Sequence, residues 1–240
     1  MNRNEVYFII RIYAVNIKNF KTFDSKIDYL MSYLHTDKQE RLRKFHRRED
    51  MWRGLTADLL VRTVICNDLG IKNSDLDFAT NEYGKPFLRS FYNYKFNLSH
   101  SGNWVVCATN RHPVGIDIEY IQPIDFNIAK RFFSMEEYSA LLNLKSSSQL
   151  SYFYDLWTLK ESYIKAVGKG LYIPLDSFTC QVKVNGDITI KSCEVTQSIY
   201  FRQYHIDNGY KLSVCGFVEE FTDDVEKKEL SDLCDDILSI

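Results

Sequence analysis

Residues 157–169 read WTLKESYIKAVGK, and the fold turns on how this stretch is read. On a helix, at 100° per residue, Leu156, Leu159, Tyr163, Ile164, Ala166 and Val167 gather on one broad apolar arc, with Trp157 at its margin. Lys160 falls inside that arc, where an unpaired ammonium group is costly to bury. Glu161 and Lys165 stand at its edge, four residues apart. As a solvated ion pair they would contribute about 0.2–0.5 kcal/mol and nothing more. That plain reading leaves Lys160 without a reason, and local rule-breaking of this kind marks functional sites.

Around this helix lies a chain of 240 residues, enough for one large domain or two modest ones. Its 45% hydrophobic and 26% charged residues are ordinary for a soluble globular protein. A net charge of −2 excludes wholesale binding to nucleic acid or membrane, so an anionic partner must meet a local patch. Cys66, Cys107, Cys180, Cys193, Cys215 and Cys234 are scattered, with no CxxC pair and no histidine at ligand spacing. Neither a disulfide framework nor a zinc site is expected. VYFIIRIYAV (6–15) is short and broken by Arg11, which makes it a strand and not a signal peptide or membrane span. The expected compartment is a reducing cytoplasm.

Further along, TDKQ (36–39) has the capping-box pattern and opens a basic helix carrying Lys38, Arg41, Arg43, Lys44, Arg47, Arg48 and Arg53. A mostly apolar helix follows and stops at Gly70. YKFNLSHSGNWVVCATN (94–110) reads as two strands around a turn at 101–103, and VGIDIE (114–119) as a short strand. Ser134 with Glu137 caps the helix MEEYSALLNL, and the serine run 146–148 reads as a loop before the helix quoted first. Strands dominate afterwards, with an Asn185-Gly186 hairpin turn, and the tail 225–240 reads as a terminal helix. RKFHRRED (43–50) echoes KRFFSMEE (130–137), and WVVCATN (104–110) echoes KLSVCGF (211–217). The expectation is two α+β halves, residues 1–112 and 113–240, packed face to face with a site between them.

Asp117 and Glu119 are i and i+2 on a strand, so both carboxylates leave the same face. A lone DxE also fits a solvent-facing strand edge. With Glu161 the set offers three hard oxygen donors, which suits magnesium better than zinc. Lys38, Arg41, Arg53, Lys85, His100, Lys160 and Lys165 supply cations and donors suited to a polyphosphate bound with its metal. Ser99-His100 is not a hydrolase nucleophile, since no GxSxG elbow exists and adjacent strand residues point to opposite faces. No Walker or GxGxxG loop is present, so side chains would hold the ligand.

YGKPFL (83–88), FNLSHSGNW (96–104), VGIDIE, FFSMEEYSALL (132–142) and WTLKESYIKAVGKGLYIPLDSF (157–178) together resemble the 4′-phosphopantetheinyl transferases, of the type that activates surfactin synthetase and related peptide synthetases. The resemblance implies a pseudodimer of two similar α+β halves with coenzyme A between them, and this internal pseudosymmetry makes a monomer the expected state. It implies transfer of the phosphopantetheine arm to a serine of an acyl or peptidyl carrier protein, releasing 3′,5′-ADP. By motif position Asp117, Glu119 and Glu161 would bind magnesium. Lys38, Arg41, Arg53, Lys85, Ser99, His100, Lys160 and Lys165 would contact phosphates or nucleotide, and Glu161, Lys165 and His100 are the catalytic candidates. Carrier protein would dock beside Gln122–Phe133, with Ile124, Phe126 and Ile128 as anchors and Lys130 and Arg131 facing an acidic partner. Gly54 departs from the threonine of close relatives, and a hydroxyl on the nucleotide's 3′-phosphate would be missing. The rivals are a coenzyme A or nucleotide-binding module without turnover and a magnesium-dependent diphosphate hydrolase.

Overall fold

A computed structural model of the chain describes residues 9–183, 186–191 and 197–240. Cys193 and Asn185 lie outside these residues. The N-terminal half contains β1 (Arg11–Asn16), α1 (Ile27–Met31), α2 (Thr36–Arg43), α3 (Arg48–Leu69), β2 (Phe78–Thr80), β3 (Pro86–Leu88), β4 (Lys95–Ser101) and β5 (Trp104–Asn110). Then come β6 (Val114–Tyr120), α4 (Asn127–Phe132), α5 (Met135–Leu142), α6 (Ser146–Val167), β7 (Thr179–Val182), β8 (Ile188–Lys191), β9 (Tyr200–Tyr204) and β10 (Tyr210–Gly216). The chain closes with β11 (Glu226–Glu229) and α7 (Leu230–Asp236).

The two halves share one topology. In each, a strand leads to a 22-residue helix ended by a left-handed glycine, Gly70 after α3 and Gly168 after α6. A hairpin then returns so that its second strand sits in the middle, in the orders β1-β5-β4 and β6-β10-β9. The echoing stretches 104–110 and 211–217 fall on the two central strands.

Alternation along these strands builds three cores. Val105 and Cys107 of β5 face α3, while Trp104, Val106 and Ala108 face the other sheet. There they meet Ile116 and Ile118 of β6 and Leu212 and Val214 of β10. On its far side the second sheet packs Cys215 against Leu159, Tyr163 and Ala166 of α6. The result is helix, sheet, sheet, helix. Burial on both faces explains why WVVCATN reads as a continuous run and not as an alternation.

The sheets also join edge to edge, without backbone pairing. β6 pairs with β10 along one edge only, and in an antiparallel pair alternate N–H groups point away from the partner. Those of Ile116, Ile118 and Tyr120 donate to Asn97 Oδ1, Ser99 Oγ and Ser101 Oγ of β4, at 2.9, 3.4 and 3.0 Å. Helix α6 comes close to the same strand because Gly115 has no side chain: a Cβ there would stand 2.0 Å from the carbonyl oxygen of Ser162.

Several expectations change. The serine run 146–148 is the first turn of α6, and the basic helix breaks between Arg43 and Arg48. Thr36 begins its helix as the first helical residue, with His35 at the cap and no side-chain cap bond. The tail opens as a strand: β11 runs parallel to β1, and Leu230, Leu233, Cys234 and Ile237 fill the first core. The last fifteen residues, placed by sequence in the half 113–240, therefore complete the N-terminal half.

Lys160 is also corrected. It is fully buried, with Nζ donating to Glu137 Oε1 at 2.7 Å, Glu137 Oε2 at 2.6 Å and the carbonyl of Phe178 at 2.7 Å. Glu137 is the residue of the Ser134 capping box, and it also takes the N–H of Cys180. The lysine thus spends all three protons tying α6 to α5 and the start of β7, away from any cleft. Lys160→Met leaves the Glu137 carboxylate buried without its cation and should cost about 3–5 kcal/mol in denaturant unfolding. Unchanged stability together with a raised KM for coenzyme A would place Lys160 in the ligand site instead.

Candidate active site

Between the halves lies a cleft of about 550 Å³. The N-terminal half contributes Lys38 and Arg41 from α2, Gly54 and Asp58 from α3, and Ser99 and His100 from β4. The C-terminal half contributes Asp117 and Glu119 from β6, and Trp157, Glu161 and Lys165 from α6. The alternation of GIDIE sends Ile116 and Ile118 into the inter-sheet core and both acids toward α6. On α6, Trp157, Glu161 and Lys165 follow at four-residue spacing and form one stripe along the cleft.

Asp117 is the centre of the site. Its Oδ1 receives Lys165 Nζ at 2.5 Å and Ser99 Oγ at 2.9 Å, while its buried Oδ2 has no hydrogen-bond partner among the described residues. Glu119 Oε2 accepts from Ser101 Oγ at 2.9 Å. All three carboxyls are pushed above their ordinary range. Burial is the first cause in each, and the negative charge of Asp117 is the next for Glu119 and Glu161. For Glu119 the shift reaches about 7, despite the Ser101 hydrogen bond that opposes it.

Like charges crowded at low dielectric call for a cation, and the unpartnered Asp117 oxygen offers it a ligand atom. Among the described residues no three His, Cys, Asp or Glu side chains stand together closely enough to hold a metal ion by themselves. A cation that keeps several waters and takes few protein oxygens, as magnesium does, fits this open donor set.

Lys38 pairs with Asp58 at 3.0 Å, and both line the cleft with Arg41. Three further residues expected there do other work. Lys160 is in the second core. Arg53 donates to the carbonyl of Gly102 at 2.8 Å and pairs with Asp50, fixing α3 to the β4–β5 turn. Lys85 donates to the carbonyls of Lys165 at 2.5 Å, Val114 at 3.1 Å and Ala166 at 3.2 Å. Its ammonium caps the C-terminal end of α6, a favourable place for positive charge. Burial lowers it to about 8.

Gly54 serves close approach: a Cβ there would stand 2.6 Å from Leu42 Cδ2, so the missing side chain lets α2 settle on α3. In the docking segment Ile124 and Phe126 pack against the second core. Ile128, 37% exposed, is open to a partner, as is Met135 at 88%, which the sequence reading did not include. Asp58 and Ser101 were missed as well. Asp58 gave no signal, whereas Asn97, Ser99 and Ser101 follow a polar alternation visible in FNLSHS. No helix among the described residues is long and apolar enough to cross a membrane.

Comparison with known proteins agrees with this geometry. Residues 18–112 match the family model "4′-phosphopantetheinyl transferase, N-terminal", and residues 113–215 match that of the 4′-phosphopantetheinyl transferase superfamily. The chain is 45% identical to 4′-phosphopantetheinyl transferase Sfp of Bacillus subtilis (strain 168), covering 81% of this chain and 87% of that one. It is 39% identical to 4′-phosphopantetheinyl transferase gsp of Aneurinibacillus migulanus, over 86% of both. A more distant relative, HetI of Nostoc sp., is 33% identical over 62% of this chain and 65% of that one. Two successive family models, relatives aligned along most of their length and a cleft built from both halves lead to one conclusion: the chain belongs to the 4′-phosphopantetheinyl transferases.

Proposed function

We propose that this protein moves the 4′-phosphopantetheine arm of coenzyme A onto a serine of an acyl or peptidyl carrier protein, releasing 3′,5′-ADP, with magnesium held by Asp117, Glu119 and Glu161. The observation that carries this reading is the buried, unpartnered Oδ2 of Asp117 beside two more carboxylates, in one cleft with Lys38, Arg41 and His100. A diphosphate with its cation complements both walls. Both walls belong to one chain, which supports a monomer as the working unit.

In the reaction the serine oxygen forms a bond to the phosphorus that bears pantetheine, and the bond from that phosphorus to the ADP oxygen breaks. Magnesium, when bound, would neutralise the diphosphate and the charge growing on the leaving oxygen. Lys165, held against Asp117 and Ser99, supplies a fixed positive charge beside the same atoms. The Glu161 carboxylate, raised by burial and by Asp117, accepts the serine proton. His100 donates to a phosphate oxygen, and Lys38 and Arg41 hold the far phosphate of the nucleotide. Incubation with coenzyme A, magnesium and apo-carrier proteins, read by intact mass, tests the reading. Coenzyme A bound without transfer would leave a binding module, and loss of coenzyme A without carrier protein would indicate a hydrolase.

Three outcomes are expected of variants. Glu119→Ala should lower transfer by roughly a hundredfold or more, about 3 kcal/mol of barrier, with the circular dichroism unchanged; near-normal turnover at ordinary magnesium removes it from the metal site. Ile128→Asp should raise KM for carrier protein several-fold and leave that for coenzyme A within twofold, whereas parallel changes in both constants argue against docking at α4. Gly54→Thr should weaken coenzyme A binding. It forces Leu42 off its rotamer at about 0.5–1.5 kcal/mol, roughly two- to tenfold in affinity. Tighter binding would show that the hydroxyl outweighs the displaced helix.

A further inference from the structure

Ser101 ends β4 and is not among the residues that line the cleft. Its oxygen accepts the N–H of Tyr120 at 3.0 Å and lies 2.9 Å from Glu119 Oε2. A serine hydroxyl has one proton to give. Because Tyr120 donates to the oxygen, that proton is left for the carboxylate. Oε2 is thereby committed to β4, while Oε1 meets no donor among the described residues.

One step earlier on the ladder the arrangement repeats. Ser99 accepts the N–H of Ile118 at 3.4 Å and donates to Asp117 Oδ1 at 2.9 Å, leaving Oδ2 without a partner. Each serine thus turns one oxygen of its acid toward β4 and leaves the other free, so the two free oxygens are presented in series along β6. A serine needed only to close the strand edge would not have to reach an acid.

We propose that Ser101 is a positioning residue for Glu119: its hydroxyl fixes the carboxylate so that Oε1 is presented to the divalent cation together with Asp117 Oδ2. This rests on the reading that Asp117, Glu119 and Glu161 hold that cation. Hydrogen bonds from beyond the ligands orient them and are worth about 10–100-fold in metal affinity.

The test titrates the full chain, metal-stripped and with coenzyme A present, with Mn²⁺, following the loss of the free-ion paramagnetic resonance signal. Wild-type protein must bind one Mn²⁺, and Asp117→Ala must abolish it; failure here refutes the cation site itself, whatever Ser101 does. Given that, Ser101→Ala should weaken binding about tenfold, and Ser101→Thr, which keeps the hydroxyl, should bind within twofold of wild type. On a Glu119→Gln background Ser101→Ala should change the affinity no further. Wild-type affinity in Ser101→Ala, with only the melting temperature lowered, would overturn the proposal, as would an undiminished effect in the Glu119→Gln background. Should the alanine variant not fold, Ser101→Cys keeps the size with a weak donor and must also lose affinity; if it binds as wild type, the proposal fails.

Discussion

Side chains replace a strand-to-strand ladder where the two halves meet. Backbone groups buried at a sheet edge must be paired. Here Asn97, Ser99 and Ser101 take the three N–H groups of β6 that β10 leaves over. Had β4 paired directly with β6, the strands would lie about 4.7–4.9 Å apart in one continuous sheet. A side chain in each link keeps two sheets distinct, and it puts hydroxyls beside the acids of GIDIE. The joint and the site are therefore built from the same atoms.

The second constraint is charge. Three carboxyls and Lys165 share one cleft, where burial lifts each carboxyl above its ordinary range. Glu161 and Lys165 are held there from the middle and the C-terminal end of their helix. Lys160 and Glu137 tie its middle to α5, and Lys85 draws its C-terminal carbonyls against the start of β6. Gly115 then lets the helix backbone sit directly on the strand that carries Asp117. Two of the lysines that the sequence offered as ligand contacts thus act on the frame that holds the others.

The repeated architecture was legible in the sequence because the central strands, buried on both faces, must be continuously apolar, and two such stretches echo each other. The acids were legible because period two on a strand and period four on a helix fix which side chains share a face. Lys160 was placed correctly on the apolar arc, yet its destination depended on Glu137, twenty-three residues away, and no local pattern reports such a partner. The partners of Lys85 and Arg53 were hidden for the same reason: their acceptors are backbone carbonyls of distant elements. The tail misled because β11 is a strand only by virtue of β1, more than two hundred residues earlier.

If Asp117, Glu119 and Glu161 hold one divalent cation against the diphosphate of coenzyme A, that cation must sit between the two halves. Crystals grown with coenzyme A and Mn²⁺, examined by anomalous scattering at the manganese edge, test it most directly. A single peak is expected within ligand distance of Asp117 Oδ2, Glu119 Oε1 and the diphosphate, with Glu161 bound directly or through one water. Coenzyme A seated in the cleft with the peak elsewhere, or with Lys165 alone meeting the diphosphate, would contradict it.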